Sequence, residues 1–269
     1  MPPVTGTLFV VATPIGNLED ITLRALRVLR EVDVIACEDT RRTRALLSHF
    51  DIHTPTLSYF EHNKLARGPQ LLRQLAEGKS VALVTDAGTP GISDPGFLLV
   101  RDARAAGVPV VPVPGSSAVV AALSAAGVPA DRFVFDGFPP VKPGRRLNRL
   151  TALRELETTI VLYESPHRIL ATLAAIGAVF GEREIVVARE LTKQFEEIVR
   201  ATPAAHRERL AAAGVRGEFT VVIPGMGESR MGGPEMAPQA PPEARGAADS
   251  AAPLDGPSRW GARPDRGAP

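Results

Sequence analysis

One stretch of the sequence, residues 81–96, constrains the fold more than any other. Its first part, Val81–Thr85, is an unbroken apolar and β-branched run, which is typical of a strand buried on both faces. The next eleven residues, Asp86–Gly96, contain three glycines and two prolines and therefore continue neither a strand nor a helix. An ordinary strand-to-helix turn needs only about two to six residues. Because open α/β sheets bind ligands at the carboxyl ends of their strands, we expect this loop to face a ligand.

The same alternation of short apolar strands and amphipathic helices extends from Thr7 to about Gly225. This pattern predicts an α/β fold with two halves, and ligand sites favour the seam between such halves. We place an N-terminal α/β domain at residues 1–113 and a C-terminal α/β domain at 114–225. Residues 226–269 are rich in proline, glycine and alanine without periodicity, so they are expected to form a disordered tail.

Composition excludes several classes of protein. The 269 residues are 44% hydrophobic and 23% charged, which is typical of a soluble globular chain. The single cysteine, Cys37, excludes an internal disulfide, and its apolar neighbours favour a core thiol. The five histidines form no ligand-spaced cluster, so no metal is expected. No apolar run reaches the roughly 18 residues of a membrane span, and no secretory signal is evident, so we expect a cytoplasmic protein without a membrane partner.

Basic residues concentrate in one segment although the net charge is only +1. Between Gly137 and Arg154 the chain carries five basic side chains and no acidic one. A proline- and glycine-containing loop that presents cations without acids is suited to binding phosphate groups. The alternative is a solvated helix face.

Five motifs, in the same order along the chain, together resemble the ribosomal RNA small-subunit methyltransferase I family. One such motif would be weak evidence, but five in order are specific, and the match extends from Thr7 to about Gly225. The motifs are Val11–Asp20, Glu38–Arg41, Thr85–Gly96, Tyr163–Arg168 and Arg189–Lys193.

The resemblance implies the tetrapyrrole-methylase fold, with two α/β domains and S-adenosylmethionine bound between them. It also implies 2′-O-methylation of a cytidine in the decoding centre of 16S rRNA (rRNA position 1402), in the small ribosomal subunit, usually by a homodimer. By similarity to the wider fold, the cofactor should be bound by Pro14, Gly16, Asp86, Ala87, Gly88 and Ile92 of the first half and by Ser117, Ala118, Tyr163 and Glu164 of the second. For Ser117 and Ala118, simple helix capping is an equal alternative.

Methylating a ribose hydroxyl requires a base or a cation that stabilises the developing alkoxide. Charged residues that follow strands are the candidates: Glu38, Asp39, Arg41, Glu190 and Lys193. We assign catalysis to Glu190 and Lys193. Because the resemblance implies an RNA substrate, we assign RNA docking to the basic segment, at Lys142, Arg145, Arg146 and Arg149, and further RNA contacts to Arg41 and Arg168. A structural salt bridge is the competing explanation for each. Two other functions stay open: a tetrapyrrole methylase of the same fold, and a non-catalytic RNA-binding regulator.

Overall fold

A computed structural model describes residues 6–93 and 96–226 of the chain. The first half contains five strands, four helices and a short 3-10 helix at Leu18–Asp20. Its elements in chain order are β1 (Leu8–Val11), α1 (Leu23–Glu31), β2 (Val34–Cys37), α2 (Thr40–His49), β3 (Thr56–Ser58), α3 (Lys64–Ala76), β4 (Val81–Leu83), α4 (Phe97–Ala105) and β5 (Val110–Val113).

These five strands form one parallel sheet in the order β3-β2-β4-β1-β5. Helices α1 and α2 pack on one face and α3 and α4 on the other, so β4 is fully buried, as its apolar run predicts. Strand β5 lies at an edge, where Pro112 removes no hydrogen bond that a neighbouring strand needs. Cys37 is a buried core thiol, and burial raises its pKa.

The second half contains five strands and four helices. In chain order they are α5 (Ala118–Ala125), β6 (Phe133–Gly137), α6 (Pro143–Arg154), β7 (Thr159–Glu164), α7 (Ile169–Phe180), β8 (Ile185–Arg189), β9 (Glu197–Ala201), α8 (Pro203–Ala213) and β10 (Phe219–Ile223). The sheet order is β6-β7-β10-β8-β9. Only β6 and β7 are parallel, because β10 runs antiparallel to both β7 and β8, and β8 and β9 pair antiparallel.

Each face of the second sheet has its own core. Helices α6, α7 and α8 cover one face, with Leu150, Leu173 and Leu210 fully buried. Helix α5 covers the other face, and Ile15 from the loop after β1 packs against the same cluster. The first half therefore contributes directly to the apolar packing of the second.

The last strand of the first sheet ends at Val113 and the first strand of the second begins at Phe133, so the predicted boundary at residues 113 and 114 lies at one end of the connecting segment. The backbone nevertheless forms one compact unit through this point, so two separately folding domains stay a prediction. The predicted tail from residue 226 lies, except for Met226, outside the described residues. In the part of the chain that the structure describes, no helix is long and apolar enough to cross a membrane.

Candidate active site

A cleft of about 400 Å³ opens where the carboxyl ends of β2 and β4 approach the second half. Its volume lies within the ordinary range for a small-molecule site. One wall comes from the loops of the first sheet and the other from α5, β7, β10 and the turn after β8. The lining residues of the first wall are Ile15, Glu38, Arg42, Thr85, Asp86, Ala87, Gly88, Thr89, Ile92 and Ser93, and those of the second include Ser117, Ala118, Phe138, Tyr163, Glu164, Leu191, Lys193 and Glu218.

Backbone geometry fixes the loop after β4. Gly88 has φ +82°, a backbone conformation that residues other than glycine rarely adopt. Its amide and carbonyl pair with the carbonyl and amide of Thr13 at 3.1 and 2.9 Å, and the Thr13 hydroxyl donates to the Thr85 carbonyl at 3.1 Å. The loop after β4 is thus tied to the loop after β1.

Asp86 ties the loop after β4 to the start of α2. One carboxylate oxygen accepts the Asp39 amide at 3.1 Å, and the other lies 3.3 Å from the Arg42 guanidinium. Asp39 itself caps α2 and forms a two-point ion pair with Arg41, which lowers the pKa of Asp39 to about 2. The Asp86 carboxylate therefore borders the cleft from a fixed position.

An ion-pair cluster stands on the opposite wall. The Lys193 ammonium donates to Glu190 at 2.8 Å and to Glu218 at 2.9 Å, and the Glu218 amide donates to the same Glu190 oxygen at 2.9 Å. Burial alone would lower the pKa of Lys193, but the two carboxylates outweigh it and raise that pKa. Burial would likewise raise the pKa of Glu190, yet Lys193 and the Glu218 amide hold it below its ordinary value. Both side chains are therefore charged at neutral pH.

The turn that carries this cluster has an unusual backbone. Glu190 and Thr192 adopt φ +51° and +68°, which is costly for residues with a side chain. Two glycines make room for the pair. A Cβ on Gly217 would lie 2.5 Å from Glu190 Cγ, and one on Gly16 would lie 2.4 Å from Lys193 Cγ. Gly16 thus contacts Lys193 from the first half of the chain.

A buried polar network supports the wall beside this cluster. The Glu164 side chain is fully buried and accepts hydrogen bonds from the Ser165 amide at 2.9 Å and the Thr172 hydroxyl at 2.5 Å. Arg168 completes its shell at 3.3 Å, and Arg146 donates to Thr172 at 3.1 Å. Each buried charge is therefore partnered, as its desolvation requires.

Comparison with known proteins identifies the family. The family model described as Tetrapyrrole (Corrin/Porphyrin) Methylases matches residues 7–205. Proteins named Ribosomal RNA small subunit methyltransferase I are similar over most of their length. The one from Pseudomonas aeruginosa is 54% identical (82% of this chain, 79% of the relative), that from Halalkalibacterium halodurans 48% (83% and 77%) and that from Bacillus subtilis 46% (82% and 75%). The chain belongs to the ribosomal RNA small subunit methyltransferase I family.

Solved structures confirm the tetrapyrrole-methylase fold predicted for this family member. Cobalt precorrin-4 methyltransferase, a cobalamin biosynthetic enzyme, aligns with a TM-score of 0.62 at 22% identity, covering 81% of this chain and 94% of that one. Diphthine synthase aligns at 0.63 and 16%, covering 81% and 90%. Uroporphyrin-III C-methyltransferase from Thermus thermophilus, complexed with S-adenyl homocysteine, aligns at 0.56 and 20%, covering 81% and 97%. At these identities the likeness concerns the fold alone.

Most of the residues predicted to bind the cofactor lie along the cleft. Pro14 and Gly16 do not; Gly16 lies behind Lys193 instead. Of the predicted catalytic pair, Lys193 lines the cleft, whereas Glu190 is not among the lining residues and contacts Lys193 instead. The predicted residues along the cleft are Asp86, Ala87, Gly88, Ile92, Ser117, Ala118, Tyr163, Glu164 and Lys193.

Three of the residues predicted to bind RNA form contacts within the protein instead. Arg146 is only 6% exposed and bonds to Thr172, so the expectation that it faces RNA is wrong. Arg149 forms a two-point ion pair with Asp136, which precedes the acid-free segment by one residue. Arg168 contacts Glu164 and the Pro139 carbonyl.

The other three predicted RNA contacts stay accessible. Lys142 and Arg145 are exposed and form no ion pair with any described residue. Arg41 is 88% exposed, although Asp39 pairs with it. The sequence analysis did not identify Glu218, because it lies far along the chain from the motif that it supports. It also did not identify Phe138, which lines the cleft. Among the residues described, no cluster of histidine, cysteine and carboxylate side chains could hold a metal ion.

Proposed function

We propose that this chain transfers the methyl group of S-adenosylmethionine to the 2′-hydroxyl of a cytidine in the decoding centre of 16S rRNA, in the small ribosomal subunit. Family membership makes it an S-adenosylmethionine-dependent methyltransferase that acts on rRNA. The observation that carries the finer assignment is Lys193, a cation with a raised pKa that lines the cleft opposite the glycine-rich loop.

The cleft fits S-adenosylmethionine in size and charge. The volume of about 400 Å³ matches a ligand of that class. Carboxylates of Asp86 and Glu38 border a site for a ligand that carries a sulfonium cation, while the Gly88 and Thr89 backbone can approach it closely. When bound, the cofactor supplies an electrophilic methyl group on positively charged sulfur. We assign its binding to the predicted cofactor residues that line the cleft, which are Asp86, Ala87, Gly88, Ile92, Ser117, Ala118, Tyr163 and Glu164.

The Lys193 ammonium can stabilise the negative charge that develops on the acceptor oxygen. Methyl transfer would form a bond between the ribose oxygen and the methyl carbon, leave the carbon–sulfur electrons on sulfur and release the hydroxyl proton to water. Negative charge would develop on the ribose oxygen before the new carbon–oxygen bond is complete. An ammonium held in place beforehand stabilises this charge without reorganising. Lys193 is therefore assigned as the catalytic residue.

Glu190 acts through Lys193 rather than on the acceptor. Its carboxylate lies behind the lysine, accepts from the Lys193 ammonium and the Glu218 amide, and has a lowered pKa that makes it a poor base. We therefore propose Glu190 and Glu218 as positioning residues. This differs from the prediction that Glu190 is catalytic.

The function is tested by transfer of labelled methyl groups to three acceptors: small ribosomal subunits that lack the modification, naked 16S rRNA and uroporphyrinogen. Nucleoside mass spectrometry then locates the product. We expect a 2′-O-methylated cytidine at position 1402, formed on subunits. Label on uroporphyrinogen would instead support the tetrapyrrole reaction, and binding of the cofactor without transfer would support a regulator.

We also propose the cytoplasmic location and the homodimer that the family resemblance implies. Sedimentation velocity of the full chain measures the second of these directly. A single species at twice the chain mass of 28.5 kDa is the expected result, and a species at the chain mass would contradict it.

A further inference from the structure

One large apolar side chain at the cleft is unexplained by the cofactor site or the ion-pair cluster. Phe138 follows the last residue of β6, lines the cleft and is 52% exposed. Single exposed apolar residues are common on protein surfaces, but an aromatic ring on the wall of a binding cleft is in a position to contact a ligand.

The ring of Phe138 is held in place by its surroundings. It contacts Tyr163 edge to face, with ring centroids 5.7 Å apart, and Tyr163 in turn contacts Phe135 at 4.8 Å. The next residue is anchored as well, because Arg168 donates to the Pro139 carbonyl. A ring fixed in this way loses little conformational freedom when a ligand stacks on it.

Cations follow this ring along the chain. Lys142 and Arg145 are exposed at the start of α6 and form no ion pair with any residue that the structure describes. Arg149, only four residues further on, is already paired with Asp136. The segment 138–145 therefore presents one aromatic face and two available cations, the combination by which proteins bind single-stranded RNA.

We propose that Phe138 stacks on an unpaired base of the rRNA substrate while Lys142 and Arg145 contact its phosphates. A 2′-hydroxyl can enter a cleft of this size only if its nucleotide leaves the helical stack, and the exposed base then needs a partner. Phe138 supplies that partner at the wall that also carries Tyr163. This inference rests on the proposed function, since it takes RNA as the substrate.

Four variants test the stacking: Phe138→Leu, Phe138→Trp, and a matched pair at Phe133, which is a 44% exposed aromatic at the start of β6, outside the cleft lining. Base stacking is worth enough to change RNA affinity roughly tenfold to a hundredfold. We expect Phe138→Leu to raise KM for small subunits by about that factor at unchanged S-adenosylmethionine affinity. Phe138→Trp should retain the wild-type KM, and Phe133→Leu and Phe133→Trp should have no effect.

Binding of a fluorescent single-stranded RNA oligonucleotide, measured without cofactor, separates this inference from the proposed function. Weaker binding by Phe138→Leu but not by Phe133→Leu supports stacking. Equal binding by Phe138→Leu and the wild type overturns it, as does an equal loss in Phe138→Leu and Phe138→Trp. A change in sedimentation on Phe138→Leu also overturns it, because the ring would then be covered by a second copy of the chain. Failure of the wild type to methylate subunits would instead count against the proposed function.

Discussion

The two walls of the cleft differ in the strands that they follow and in the chemical groups that they contain. The first wall follows strands of a parallel sheet and contains the glycine-rich loop, whose backbone is bent at Gly88 and tied to Thr13. The second follows strands of a mostly antiparallel sheet and presents the Lys193 ammonium and the Phe138 ring.

This difference suggests a division of labour. Backbone groups at strand ends suit the binding of a small-molecule cofactor, whereas charged and aromatic side chains suit the acceptor and the charge that develops on it. Changes in the loop after β4 should therefore alter cofactor affinity, whereas changes at Lys193 and Phe138 of the second wall should alter the rate or the RNA affinity.

The largest effect is expected at Lys193. Lys193→Met keeps much of the side-chain volume but removes the cation, so the alkoxide loses its stabilising charge. We expect kcat for subunit methylation to fall by about 10²–10³-fold, the usual consequence of removing one such group. Affinity for S-adenosylmethionine, measured by calorimetry, should change little. A loss of cofactor affinity that matches the loss of rate would contradict the separation between the walls.

A smaller effect is expected on the first wall. Gly88→Ala places a Cβ on a residue at φ +82°, which costs about 1–2 kcal/mol of backbone strain. We expect cofactor affinity to fall by up to roughly tenfold, while kcat at saturating cofactor stays close to that of the wild type. The Cβ itself would meet Ile15 only at 3.5 Å, so the effect comes from the backbone rather than from a clash.

Gly107→Ala is the matched control for Gly88→Ala. Gly107 has φ +73°, has open space around its Cβ position and lies outside the cleft. Gly107→Ala should lower the free energy of unfolding by about as much as Gly88→Ala does, and it should leave the cofactor affinity unchanged. Equal losses of cofactor affinity in both variants would show that general destabilisation, not the loop, is responsible.

Gly217→Ala tests the positioning of the ion pair. A Cβ there would lie 2.5 Å from Glu190 Cγ and must displace that side chain. We expect kcat to fall by about tenfold or less, since misplaced catalytic groups lose rate steeply with distance. The control is Gly181→Ala, with φ +65° and open space around the Cβ position, which should keep its kcat. An unchanged kcat in Gly217→Ala would argue against a positioning role for Glu190.

Much of this fold could be predicted because its signals are local. The apolar run at Val81 and the glycines and prolines after it each depend on neighbouring residues alone. The alternation of elements then gave the α/β fold. The antiparallel direction of β10 had no such signal, because strand direction depends on which distant strands accept its hydrogen bonds.

The candidate site was predictable to a different degree on each wall. The glycine-rich loop could be predicted from its glycine and proline content. The basic segment did not reveal that Arg146 turns inward, because its partner Thr172 lies one helix further along the chain. Nor did it show that Asp136, just outside the acid-free segment, neutralises Arg149. Counting charges along a sequence therefore overestimates the cations that a surface presents.

The smallest expected effect is the pH response of the ion pair. The raised pKa of Lys193 keeps its ammonium charged up to and beyond its unfolded value of about 10.4, and the contribution of that charge to stability is lost as pH rises through the folded pKa. The lowered pKa of Glu190 acts at the other end. Its contribution is present above about pH 4.3 and is lost as pH falls through the folded pKa.

Between these limits neither group titrates, so kcat should show no inflection from Lys193 or Glu190 near neutral pH. Glu190→Gln removes one of the two carboxylates that raise the pKa of Lys193 and should shift the alkaline limb of the pH–rate profile toward neutral pH. The profile of kcat for both proteins, with cofactor and subunits saturating, measures this. An unshifted alkaline limb would mean that Glu190 does not set the charge on Lys193, and the second wall would then depend on Glu218 alone.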